Sequence, residues 1–167
     1  MIETLLAASI MAVCSMALIG LIGGSVASNT RNKFDSTTTM LAQSVAEQIK
    51  ATVIGSGTAT LTDCAGTSFT IDTAPGGSAL NTTSNAISFA ETTPPGNYHM
   101  DYVVKSPCNA NGIEQATYDV RWHVDLVGSG VAPTNTYLLT ISSQMKNRGF
   151  GNKFFASPVT LRVMLGN

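Results

Sequence analysis

Charge is scarce in this chain. Asp, Glu, Lys and Arg make up 11% of its 167 residues, the net charge is −1, and Glu3 is the only charged side chain before Arg31. A balance so near neutrality supplies no global attraction to nucleic acid. Histidine is scarce as well, with His99 and His123 alone. There is no nucleophile elbow, no phosphate-binding glycine loop and no Cys-x-x-Cys. Asp63, Asp72, Asp101 and Asp125 are scattered too widely for a calcium loop. The chain is therefore expected to be no enzyme and to carry no cofactor or metal. Proline is missing from Met1 to Ile54, so nothing there forbids one continuous helix,.

What the chain does have is a long apolar run from Thr4 to Ala27, with Glu3 at its edge. A carboxylate at the mouth of a bilayer-compatible segment costs roughly 3 kcal/mol on insertion scales and needs a compensating partner. The helix dipole gives it some help at that end. Beyond the run, Leu41, Val45, Ile49 and Val53 recur at four-residue spacing with Ala42 and Ala46 on the same face, while Glu47 and Lys50 point away. If continuous to Ile54, this helix is about 80 Å long. Gly20, Gly23 and Gly24 mark a weak point within it, each costing about 1 kcal/mol relative to alanine; close packing of helices through small residues is the competing reading.

The stretch Ile2-Glu3-Thr4-Leu5-Leu6-Ala7-Ala8-Ser9-Ile10-Met11-Ala12-Val13 resembles the N-terminal segment of type IV pilins and of the pseudopilins of type II secretion. The resemblance implies an apolar helix freed by a prepilin peptidase that cuts after a glycine and methylates the new amine. It also implies that Glu3 pairs with the N-terminus of a neighbouring subunit, while Leu5, Leu6, Ile10, Val13, Leu18, Leu21 and Ile22 pack into a filament core. Relative to the family pattern Glu3 lies two places closer to the start, so the expectation is either that about two further residues of the mature form and a basic leader ending in glycine lie upstream or that the chain begins at an internal methionine. By the positive-inside rule Arg31 and Lys33 alone would hold the rest of the chain in the cytoplasm. Such a leader would instead send it outward, to the oxidising side that suits Cys64 and Cys108.

After Gly55-Ser56-Gly57 the period changes. Thr58 to Asn97 is punctuated by Pro75-Gly76-Gly77 and Pro94-Pro95-Gly96 and reads as mostly loop with one or two short strands,. From Tyr98 the period is two. Tyr98, Met100, Tyr102 and Val104 share one face, and Tyr118, Val120, Trp122, Val124 and Leu126 share another, with Asp119, Arg121, His123 and Asp125 opposite. Tyr137, Leu139 and Ile141 repeat the pattern, as do Val159, Leu161, Val163 and Leu165. The expectation is an α+β fold: a long N-terminal helix packed on a four-stranded antiparallel sheet, which is also the pilin head that the resemblance implies. Residues 1–27 would form the membrane or filament-core half of the helix, 28–54 its amphipathic half, and 55–167 the head. The Tyr118–Gln144 stretch further resembles the sheet of minor pilins and minor pseudopilins.

Three cysteines divide into one and a pair. Cys14 reads as a small buried hydrophobe in the apolar helix. Cys64 and Cys108 are the natural disulfide, and closing that loop is worth roughly 4 kcal/mol in the chain-entropy model. Tyr98, Tyr102 and Trp122 read as core, and His99 and His123 as surface residues. Phe150, Phe154 and Phe155, beside Lys153, Arg148 and Lys146, form a candidate contact loop for a neighbouring subunit or, as the weakest partner reading, for nucleic acid. Asn81-Thr82-Thr83 is a glycosylation sequon. The expected role is a structural subunit of a pilus-like filament, its partners being copies of itself or homologous pilins, the inner membrane before assembly, a prepilin peptidase and an assembly platform. The rival readings are a secretion pseudopilin and a permanently anchored single-span adhesin or receptor.

Overall fold

A computed structural model describes residues 2–52, 57–127, 136–146 and 158–166. Helix α1 spans Ile2–Ala51 without a break. The hydroxyls of Ser9, Ser15, Thr30, Thr37, Thr38, Thr39 and Thr52 each donate to a carbonyl three or four residues earlier, at 2.7–2.9 Å. Turned back in this way, they add to the helix's own bonds and do not draw the backbone into a turn, which is why the Thr run passes as helix. Thr38, Leu41, Ala42, Val45 and Ile49 are its buried stripe. Val53, expected on the same face, lies outside the described residues.

The strands are β1 (Thr58–Thr62), β2 (Ser68–Asp72), β3 (Gly76–Gly77), β4 (His99–Ser106), β5 (Ile113–Val127), β6 (Thr136–Met145) and β7 (Val159–Gly166). β1 and β2 form a separate antiparallel hairpin. The main sheet is four strands wide, as the alternation predicts, and contains a fifth strand. β4 lies along the first half of β5, with Tyr102 opposite Tyr118, and the two-residue β3 continues the same side with Gly77 opposite His123. β6 and β7 follow on the other side of β5, all antiparallel, with Ile141 between Trp122 and Leu161 and Leu139 between Val124 and Val163.

The alternating residues meet on the inner face, where Trp122, Tyr118, Met100, Leu139 and Ile141 are fully buried with Val45 and Ile49 of the helix. α1 covers β6 and β7 and touches β1. The hairpin is tied to the rest of the sheet. The Trp122 indole donates to the Asp72 carbonyl (3.0 Å), the Tyr98 hydroxyl donates to the Ala74 carbonyl (2.9 Å), and Ile71 is fully buried. The cover is thus shared between helix and hairpin. β3 can run so close to β5 only because Gly77 has no side chain: a Cβ there would lie 2.5 Å from the Trp122 carbonyl oxygen, and its φ of +128° belongs to glycine,.

The outer face departs from expectation. Asp119, Arg121, His123 and Asp125 were expected to face water, yet Arg121 is 6% exposed, and Thr140 and Ser142 beneath the same cover are buried. The segment 78–97 lies across this face and is held by Arg121. Its guanidinium forks onto Asp119 (2.7–3.0 Å), donates to the Ser88 and Glu91 carbonyls (3.3 and 2.9 Å), and stacks over Phe89 at 5.2 Å. Arg162 on β7 donates to the Ser84 and Asn85 carbonyls (2.8 and 2.6 Å) and fixes the far end. Arg121 and Arg162 are satisfied by backbone carbonyls of the strap, Asp119 by Arg121 and Ser142 by the Thr160 hydroxyl (2.7 Å), so polarity there does not mean exposure,.

Candidate assembly surface

Head contacts begin at Phe34, and from Ile2 to Lys33 the helix stands clear as a rod. Leu5, Leu6, Ile10, Val13, Leu18, Leu21 and Ile22 are 56–72% exposed, and Cys14, expected to be buried, is exposed among them. Full burial of those seven apolar side chains is worth roughly 10 kcal/mol or more, so the rod does not belong in water. Its best 18-residue window has a mean hydropathy of 2.5 and no buried residue, which makes α1 long and apolar enough to cross a membrane. At 1.5 Å per residue, Ile2 to Ala27 covers about 39 Å against a hydrocarbon thickness of about 30 Å.

Glu3 lies in the first turn of the rod and is exposed. The next cation along the helix is Arg31, roughly 42 Å away at 1.5 Å per residue, and no ion pair to Glu3 forms among the described residues,. Gly20, Gly23 and Gly24 are helical, and a Cβ at any of them would meet nothing within 4 Å. Two of them line a shallow open groove with Ala17, Ser25, Ser28 and Asn32. The residues offered as candidates for assembly therefore all lie on one continuous exposed element.

Below the rod, the head is locked to itself. Cys64 and Cys108 form the expected disulfide, with Cα atoms 4.6 Å apart. Asp63, unremarkable in the sequence, is the missed residue beside it. Its Oδ1 accepts from the Ala65 and Thr67 amides (2.9 and 2.8 Å), closing the β1–β2 turn in which Gly66 takes a φ of +88°. Its Oδ2 accepts from the Val103 amide (3.3 Å), and the Cys64 amide donates to the Val103 carbonyl (3.3 Å), so the turn caps the edge of β4. Asp63 followed three places later by Gly66 is a turn signal that could have found it. Arg121 and Arg162 had no such local signal.

The remaining candidates separate. Trp122 is core as expected, while Tyr98 and Tyr102 are half-buried. The His123 Nδ1 lies 2.8 Å from the Ser78 carbonyl and Nε2 lies 3.1 Å from Asp125 Oδ1, an array that looks like a triad but lacks the nucleophile, because the Ser78 hydroxyl donates to the Tyr98 carbonyl (3.1 Å). His99 Nδ1 contacts the Pro95 carbonyl at 2.9 Å. Among the described residues no group of three or more metal-ligating side chains gathers. Lys146 pairs with Asp101 at 2.6 Å. Arg148, Phe150, Lys153, Phe154 and Phe155 lie outside the described residues. Asn81 heads an exposed turn, its Oδ1 accepting from the Thr83 and Ser84 amides (2.9 and 3.3 Å). Comparison with known proteins returns no match among family models, curated proteins or solved structures.

Proposed function

We propose that this chain is a structural subunit of a type IV pilus-like filament, held in the inner membrane by α1 and then stacked with copies of itself or with homologous pilins. The observation that carries the proposal is an exposed rod whose apolar stretch, up to Ala27, holds a single charge, Glu3 at its tip. Apolar surface alone gives strong attraction but poor register, because sliding one greasy helix along another by a turn changes little. A carboxylate buried among such helices changes that. Unpaired, it carries the full penalty of a charge in low dielectric; paired with the terminal amine of the next subunit, it is strongly attracted. Axial register is then set by one ion pair, and lipid is replaced by neighbouring rods.

Glu3→Ala tests this directly. It should lower the yield of sheared filaments at least tenfold while the head still forms its Cys64–Cys108 bridge, and Glu3→Gln should do the same because it keeps shape and loses charge. A normal filament yield from both variants would remove the role. Filaments confined to the periplasm would instead favour the pseudopilin reading. A protein that stays in the membrane fraction and never polymerises would favour the single-span adhesin or receptor, which the same 50-residue helix also suits.

A further inference from the structure

A short polar collar joins rod to head. Between Ala27, where the apolar run ends, and Phe34, the first side chain packed on the core, lie Ser28, Asn29, Thr30, Arg31, Asn32 and Lys33. Arg31 and Lys33 are its only charges, and both are exposed. At 1.5 Å per residue they stand roughly 6 and 9 Å beyond the apolar end. The polar layer of one leaflet is about 5–7 Å deep, so with Ala27 at the hydrocarbon edge the Arg31 backbone falls at its outer margin and the Lys33 backbone about 2 Å beyond it. In a helix every Cα–Cβ bond tilts toward the N-terminus, which here is the membrane side. Both long side chains therefore lean back into the headgroups, and they do so on opposite sides of the rod, about 200° apart.

Intramolecular competition is weak. Arg31 Nε lies 3.8 Å from Asp35 Oδ2, with both side chains largely in solvent at 55% and 43% exposure, and no ion pair forms to Lys33 among the described residues. An exposed pair of that length contributes little, so both cations remain available to an outside anion. The outside anion at that depth is phosphate.

We infer that Arg31 and Lys33 bind the phosphate groups of anionic phospholipids in the leaflet on the head's side, seating the head on the membrane before assembly. The inference rests on the membrane-anchored part of the proposed function and is independent of polymerisation. It also gives these two residues a use in the orientation that the positive-inside rule disfavours.

The full-length protein, reconstituted at low protein-to-lipid ratio in phosphatidylcholine vesicles, is examined by electron paramagnetic resonance with trace spin-labelled phosphatidylglycerol or phosphatidylcholine. Labelled phosphatidylglycerol should be enriched about fivefold over phosphatidylcholine in the motionally restricted shell, in line with the attraction of a basic residue to an anionic surface. The enrichment should shrink at 1 M salt, where the screening length is about 3 Å. Arg31→Gln with Lys33→Gln should bring the ratio close to one, with the disulfide and head spectrum unchanged. Equal association of the two lipids with the wild type, or an undiminished ratio in the double variant, overturns the inference. Alkali extraction of the same vesicles is the separate check on anchoring: protein released by carbonate was never inserted, and the membrane reading falls with the inference.

Discussion

A single guanidinium holds the outer layer of the head, and its removal is the sharpest residue-scale test of the fold. Arg121 is 6% exposed and Asp119 beside it has a side chain 13% exposed, so the pair is withdrawn from water on both sides. Arg121→Ala strips Asp119 of its partner and leaves the Ser88 and Glu91 carbonyls without their donor. Breaking such a pair from one side costs about 3 kcal/mol or more, whereas replacing both partners with apolar residues of similar volume is often close to neutral. Urea unfolding of Arg121→Ala should therefore show a loss of about 3 kcal/mol, and Arg121→Met combined with Asp119→Leu should recover most of it. A loss below about 1 kcal/mol in the single variant would mean that the strap is held by its own contacts. Nothing in the local sequence flags this residue. Arg121 alternates with Val120 and Trp122 as an ordinary outward-facing charge would, and its burial depends on a segment about thirty residues earlier.

The elements themselves were far more legible, and for a physical reason. A strand with one face on a core must alternate, so Tyr118, Val120, Trp122 and Val124 declared both the strand and the face, although Leu126 at its end is exposed. The helix was equally plain, because its apolar period continues past the membrane-length run into the buried stripe of Leu41, Val45 and Ile49. The β3 strand was hidden by its own composition: Pro75-Gly76-Gly77 reads as a turn, and only the lack of a side chain at Gly77 lets it pair. The strap was hidden likewise, since its Thr-, Ser- and Asn-rich stretch has the composition of solvated loop. In the proposed filament the helix glycines would act in assembly, and the rod's geometry makes that testable. With nothing within 4 Å of an added Cβ, replacing Gly20, Gly23 and Gly24 by alanine meets no clash within the protomer and should favour the helix by up to about 1 kcal/mol each,. The triple variant should thus insert and fold normally, and any fall in filament yield or elasticity must arise from contacts with neighbours or from a need to melt. Unchanged assembly and unchanged elasticity would count against both roles.

On the scale of the whole molecule, a head closed by disulfide, strap and capped edge carries an exposed apolar rod, and three tyrosines sit where the parts of the head meet. Tyr118 on β5 meets the helix at Thr37 and Asp35, Tyr98 sits against Asp72 at the end of the hairpin, and Tyr102 lies near Asp63 at its turn. All three phenols are raised above the ordinary value near 10. Burial is the main cause in each; Asp72 adds to it at Tyr98 and Asp63 at Tyr102, while at Tyr118 the hydrogen bond with Thr37 opposes it and Asp35 reinforces it. The sign of the linkage follows. A phenol that keeps its proton more tightly when folded contributes its full stability below the unfolded pKa, and that stability is lost as pH climbs through the folded value. The full-length protein in detergent micelles should therefore unfold at constant urea up to about pH 10 and at steadily lower urea above it. The three phenols tie hairpin, sheet and helix together, so the loss should register simultaneously in the helical and sheet signals of circular dichroism. Tyr118→Phe, Tyr98→Phe and Tyr102→Phe are each expected to flatten the decline above pH 10. An alkaline slope that is the same in all three variants as in the wild type would show that these phenols do not govern the alkaline stability of the head.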